Sequence, residues 1–198
     1  MELGITTIYV THDQAEAMAI SDRILILKDG VAQQVDSPAG IYNRPVNEFV
    51  ATFVSRNNVI DAFVVKTTGT AGAELTVRAD GGLILRGDPR RGNFVSPPRA
   101  GDRVKVTIRP EAVLPAGIRN RAGDGVADNL FDGTIEHAEY AGDHTSYLIS
   151  VGGAFVLNAS FGDTGLDARR KGEPIRVRVP ASALYFLAQE EDRGSAGV

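Results

Sequence analysis

The chain contains no cysteine. That excludes disulfides, thiolate metal sites and a cysteine nucleophile, and it fits a reducing compartment. It has no excess of basic charge: 21 Lys and Arg stand against 25 Asp and Glu, a formal net charge of −4. Nucleic acid is therefore not expected as a ligand. No apolar run approaches the roughly 18 residues needed to span a bilayer. Residues 1–10 have neither a basic start nor a small-residue cleavage site, so no signal peptide is expected. The three histidines, His12, His137 and His144, are dispersed and have no metal-ligand spacing. What is present is the balance of an ordinary globular protein. Apolar residues make up 43% and charged residues 23% of 198 positions, enough for one large domain or two small ones.

The texture changes near residue 55. Before it, short apolar runs alternate with helical patterns. Ile5–Val10 is β-branched and apolar, which predicts a buried strand. Residues 13–19 are good helix formers with acids in the first turn. Ile24–Leu27 predicts a second buried strand, Lys28-Asp29-Gly30 a hairpin turn, and Val31–Val35 the returning strand. Ser37-Pro38 is an N-cap followed by Pro at the first helical position, opening a helix through Tyr42. Asn47 caps a further helix over 48–54, with Phe49, Val50, Phe53 and Val54 on one face. Strand–helix–strand order at this spacing belongs to an α/β layered fold. Yet some 55 residues supply only two or three of its strands, and a parallel sheet needs more strands covered on both faces. Residues 1–55 are therefore expected to be an α/β remnant, the end of something larger.

From about residue 58 the chain is rich in Val, Ile, Thr and Gly. β-runs are predicted at Val59–Lys66, Glu74–Val77, Leu83–Leu85, Arg103–Ile108, Phe131–Tyr140, Ser146–Val151, Ala154–Ala159 and Ile175–Pro180, as in a barrel or sandwich. Residues 87–101 and 115–129 are turn-rich, and the second stretch reads as a mobile insertion. The tail over 190–198 is polar and small and is expected to fray.

The most informative string is Ile8-Tyr9-Val10-Thr11-His12-Asp13-Gln14-Ala15-Glu16-Ala17-Met18. It resembles the switch (H-loop) segment of ABC ATPases of the importer type. Ser21–Gly30, Asp36–Pro45 and Asn47–Val54 resemble, in order and at the family's spacing, the segments that follow it. Further on, Val104–Glu111, with its Arg109-Pro110-Glu111, resembles the signature of TOBE, an OB-fold variant that serves as a regulatory barrel. Asn129–Ile135 and Tyr140–Thr145 resemble its other elements. The resemblance implies residues 1–55 as the end of a nucleotide-binding domain and residues 56–198 as an all-β, OB-like TOBE barrel. It implies that His12, held at a strand end where ligands of α/β sheets bind, contacts the γ-phosphate of ATP and helps position the attacking water. It also implies ATP and Mg as cofactors of the intact protein, a second ATPase subunit, transmembrane permease subunits and a small-molecule regulator as partners, and a place at the cytoplasmic face of the membrane. The junction Arg56–Ile60 leans toward polyamine or ferric-iron importers rather than sugar importers.

The sequence also departs from the family. It has no G-x-x-x-x-G-K-[S/T] phosphate loop and no L-S-G-G-Q-like signature. The acidic strand carrying the Mg²⁺ Asp and the catalytic Glu is expected to lie before Met1. Ser55 stands where the family usually has Gly. The chain alone is therefore expected not to hydrolyse ATP and not to hold ATP or Mg tightly, whether it is a domain fragment, a truncated product or a misassigned start. The alternative is a free-standing OB-like module binding a small ligand or oxyanion, with residues 1–55 a vestigial leader.

Arg109 and Glu111 are expected to pair locally on a solvated surface. His137 is expected to face solvent with Ile135 and Glu139 on its side of the strand. Asp143-His144-Thr145-Ser146 reads as a polar turn rather than a triad. Arg90-Arg91 and Arg169-Arg170-Lys171 read as solvated loops.

Overall fold

The fold is given by a computed structural model in which residues 5–68, 74–116, 127–162 and 169–189 are described. Three short helices and a hairpin come first: α1 (Gln14–Ile20), β1 (Ile24–Lys28), β2 (Val31–Asp36), α2 (Pro38–Asn43) and α3 (Glu48–Phe53). Each helix starts where a side chain caps it. Asp13 accepts from the Glu16 amide, Ser37 from Gly40 and Asn47 from Val50, satisfying N–H groups that a helix start leaves unpaired. Asp29 and Gly30 both have positive φ (51° and 78°), the geometry of a tight type I′ hairpin turn. Ile26, Ile41 and Val50 form a small core, with Met18, Ile24, Phe49 and Val54 packed against it.

Three sequence expectations fail here. Ile5–Val10 forms no strand and is exposed, with Ile8 and Val10 at 90% and 91%. A strand needs a neighbour to receive its N–H and C=O groups, and none is present among the described residues. Within β1 only Ile26 is buried, while Leu25 and Leu27 are open to solvent, because a two-stranded hairpin has just one covered face. Phe53, placed on the apolar face of α3, is also exposed, and Ala51 is buried instead.

The remainder is two curled five-stranded antiparallel sheets, ordered β12-β6-β3-β4-β5 and β10-β9-β8-β11-β7. The strands are β3 (Asn58–Thr68), β4 (Glu74–Ala79), β5 (Ile84–Gly87), β6 (Arg103–Ile108), β7 (Leu114–Pro115), β8 (Asn129–Tyr140), β9 (His144–Val151), β10 (Phe155–Gly162), β11 (Pro174–Val179) and β12 (Leu184–Ala188). One continuous core, including Val106, Ile108, Leu75, Val77, Ile149 and Phe186, lies between them. β7 and β12 are absent from the sequence-based expectation. Leu184–Leu187 is four apolar residues in a row, a pattern that does not separate strand from buried helix.

The two sheets repeat each other at a spacing of 71 residues. Asn58 pairs with Ile108 across β3 and β6, and Asn129 pairs with Val179 across β8 and β11. The bulge between Val64 and Lys66 recurs between Ile135 and His137. Gly101, at φ 92°, donates its N–H to the Val64 carbonyl as Gly172, at φ 89°, donates to Ile135. Three-residue 3-10 turns at Pro110–Ala112 and Ala181–Ala183 follow β6 and β11. We call these the first and second knuckles. After each knuckle the chain crosses to the other sheet: β7 pairs with β11, and β12 with β6. The repeat is visible in sequence as Asn58-Val59-Ile60-Asp61 against Asn129-Leu130-Phe131-Asp132, and Val104–Ile108 against Ile175–Val179.

The second bulge corrects one expectation. Glu136 is the extra residue, so alternation changes phase and Ala138, not His137, continues the core-facing row of Ile135. His137 is exposed, as expected. Two buried asparagines join the sheets. Asn58 Nδ2 donates to the carbonyls of Ile108 (3.0 Å) and Asn158 (2.9 Å), and Asn58 Oδ1 accepts from the Asn158 amide (2.7 Å). Asn129 makes the equivalent bonds to the Val179 carbonyl and to both backbone groups of Arg86. Most of the insertion over 115–129 and all of the tail over 190–198 lie outside the described residues.

Candidate functional site

Thr11, His12 and Asp13 stand where the extended segment turns into α1. The Thr11 hydroxyl donates to Glu16 Oε2 (3.0 Å) and accepts from the Asp13 amide (3.0 Å), and Asp13 Oδ1 accepts from the Glu16 amide (3.0 Å). A bond to Glu16, and after it desolvation, holds the Tyr9 phenol above its ordinary pKa. This network fixes the backbone on both sides of His12. The imidazole itself is exposed. An imidazole so placed can donate a hydrogen bond to an anionic oxygen brought to it from outside.

In the same N-terminal layer, large apolar side chains face solvent: Ile5, Ile8, Tyr9, Val10 and Ile20 from the segment and α1, and Leu25, Leu27, Val31 and Val35 from the hairpin. Such a concentration in one small layer marks a surface that another part of a protein covers.

The layer is tied to the outer face of the first repeat. Arg109 does not pair locally with Glu111 on a solvated surface. Its guanidinium lies over the Tyr42 ring, 3.7 Å from the centroid, and the Tyr42 hydroxyl donates to Glu111 Oε1 at 2.5 Å. The reason is that Tyr42 of α2 lies against the knuckle: its ring covers the Arg109 guanidinium, and its hydroxyl reaches Glu111, which stays exposed. Burial, and then the Glu111 bond, raise the Tyr42 pKa; burial lowers that of Arg109. Lys105 Nζ bridges Asp61 (2.7 Å) and Glu48 of α3 (3.2 Å), and the Asp61 hydrogen bond is the main cause of its raised pKa. Asn93 Nδ2 donates to the Val46 carbonyl (2.7 Å). Leu187, on the Lys105 face of the sheet by register, is 1% exposed although it lies outside the barrel core. In the second repeat the Lys105–Asp61 pair recurs as Arg176–Asp132, fully open to solvent.

The weaker constellations keep their bland roles. His144 Nδ1 lies 2.7 Å from Asp143 Oδ1 at the β8–β9 turn, and Thr145 and Ser146 continue into β9 on alternate faces. Arg169, Arg170 and Lys171 are exposed. The Arg90-Arg91 loop departs from expectation: Arg91 O accepts the Phe186 amide and Gly92 bridges to Phe186, so it is pinned along β12. Sequence reasoning missed Tyr42 as a contact, since nothing local links it to a motif 67 positions away.

A TOBE-domain family model matches residues 106–187. The spermidine/putrescine import ATP-binding protein PotA of Rubrobacter xylanophilus is 35% identical over 188 residues, covering 94% of this chain and 46% of that protein. The Fe(3+) ions import ATP-binding protein FbpC of Brucella abortus is 34% identical over 158 residues, covering 79% of this chain and 39% of its own length. The chain spans about half the length, or less, of the curated relatives it matches. Among solved structures, the cytoplasmic molybdate-binding protein ModG superposes with a TM-score of 0.52 at 18% identity. The match covers 68% of this chain and 96% of that one, a likeness of fold. Among the described residues no helix is long and apolar enough to cross a membrane.

Proposed function

From a TOBE domain at residues 106–187 joined to a segment that aligns with the C-terminal part of ABC-importer ATP-binding subunits, we propose that the chain is that part of such a subunit. Residues 1–55 close a nucleotide-binding domain, and residues 56–198 form its regulatory barrel. The observation that carries this is the exposed Ile5–Val10 segment leading into a fixed His12. Apolar, β-branched and without a neighbouring strand, it is suited to pair within a larger sheet. Pairing there would bring His12 to the rim of that sheet, where the imidazole donates to a γ-phosphate oxygen and steadies the charge of phosphoryl transfer.

ATP with Mg²⁺ is the cofactor of the intact subunit. Of that site this chain supplies His12 and no phosphate-cradling loop, so alone it does not hydrolyse ATP. The transported solute falls in the polyamine or ferric-iron class, the two named for its relatives. The partners are a second ATP-binding subunit and a membrane permease, which hold the protein at the cytoplasmic face. The seam through Tyr42, Glu48 and Val46 argues against residues 38–54 being a vestigial leader.

The test is complementation. The chain is combined with a polypeptide carrying the first half of the Rubrobacter relative, and ATP hydrolysis is measured for each part and for the mixture. Turnover appears only in the mixture, and His12→Ala lowers it by about 10²-fold or more. Hydrolysis by the chain alone, or a mixture indifferent to His12→Ala, overturns the reading.

A further inference from the structure

The first knuckle carries two charged side chains, Arg109 and Glu111, that the barrel itself does not require. The chain supplies its own control. The second knuckle forms the same three-residue turn at the same junction, with Pro180 and Ser182 at the positions equivalent to Arg109 and Glu111. Neither a guanidinium nor a carboxylate is needed to make this turn. In the first knuckle both converge on one residue outside the barrel, Tyr42, by a ring stack and a short hydrogen bond.

The knuckle's place gives that contact a consequence. It lies where the chain leaves β6 in one sheet for β7 in the other, and it packs against β10 of the second sheet. A shift of one sheet against the other therefore moves it. On the far side, Tyr42 belongs to α2, which packs on β2, on α1 and on α3, and α1 is capped by Asp13, next to His12. α3 has a tie of its own to the barrel, Glu48 to Lys105, and the chain just before it is held by Asn93 at Val46. Loss of the knuckle contact would thus loosen α2 and α1, while α3, still tied to the barrel, keeps the layer attached.

We propose that Arg109 and Glu111 are positioning residues, a two-point clamp on Tyr42 through which the barrel sets the placement of α2, α1 and the segment bearing His12. The value of that placement for phosphoryl transfer rests on the role proposed for His12. The coupling itself does not.

The experiment uses the full chain without nucleotide. Glu111→Ser installs the residue of the second knuckle, so the turn is retained. Glu111→Gln keeps an acceptor, and Tyr42→Phe removes the donor. Amide hydrogen exchange and amide chemical shifts are followed by NMR. Glu111→Ser is expected to speed exchange in α2 by about tenfold and to shift the amides of residues 12–20, which make no hydrogen bond or ion pair to the knuckle. Strands β6 and β11 stay unchanged. Glu111→Gln restores most of the protection, and Tyr42→Phe with Glu111→Ser is no worse than either alone. Shifts confined to α2, equal loss in β6 and β11, or additive single variants each overturn the clamp. None of these outcomes bears on ATP, so the complementation result stands or falls separately.

Discussion

Asn58→Ala tests the joint between the two sheets. Asn58 is 5% exposed and serves three backbone groups: the Asn158 N–H, the Asn158 carbonyl and the Ile108 carbonyl. Alanine leaves all three in the interior without that partner, and each buried unsatisfied group costs roughly 1–3 kcal/mol, with carbonyls at the low end because they have a second lone pair. The expected loss is about 3 kcal/mol, a large part of the roughly 5–15 kcal/mol that a domain has. In equilibrium urea unfolding, with a slope of about 2 kcal/mol per molar, the midpoint falls by about 1.5 M at constant slope. Asn129→Ala removes the equivalent bonds at Arg86 and Val179 and is expected to match it to within about 1 kcal/mol. Asn58→Asp is nearly isosteric but turns an oxygen toward two carbonyls, so it is expected to cost at least as much as alanine. A midpoint within about 0.3 M of wild type for Asn58→Ala, or an Asp variant as stable as wild type, would refute the account.

Three further outcomes follow from the structure. His12→Ala changes unfolding stability by less than about 0.5 kcal/mol, because the ring is exposed; a larger loss by urea titration would place the imidazole in the fold rather than at a ligand. Phe186→Ala costs about 3–5 kcal/mol, since the ring is 0% exposed and stacks on Phe94 at 6.3 Å; a loss below about 1 kcal/mol would contradict the placement of β12. Tyr42 has a folded pKa raised above 10.0, so its stabilisation is fully present below the unfolded value near 10 and is lost as pH rises through the higher folded value. The tyrosinate absorbance of wild type minus Tyr42→Phe is expected to titrate above the free phenol, and a difference titrating at or below it would count against the seam.

Local chemistry was legible. The caps Ser37 and Asn47 and the Asp29-Gly30 turn lie where the sequence puts them, because a cap or a positive φ depends on a few adjacent residues; Asp13, read as a first-turn helical acid, is instead the cap of α1. Arg103–Ile108 is a strand to the residue, its alternation set by one buried face. The family string around His12 was equally readable, whereas the role proposed for His12 rests on groups that the described residues do not contain.

The sequence determined which segments could be helices, turns and strands, and which family's motifs they carry. The tertiary structure decided what each segment meets. Ile5–Val10 has strand chemistry but no strand, since pairing belongs to two segments and not to one. Gly87 has no room for a Cβ, which would fall 2.9 Å from the Phe186 ring, and nothing near it in the chain says so. Arg109 and Glu111 look like a surface ion pair until Tyr42 arrives from 67 residues away. Composition fixes what a side chain can do, whereas its partner is chosen by backbone paths that close over distances no local pattern records.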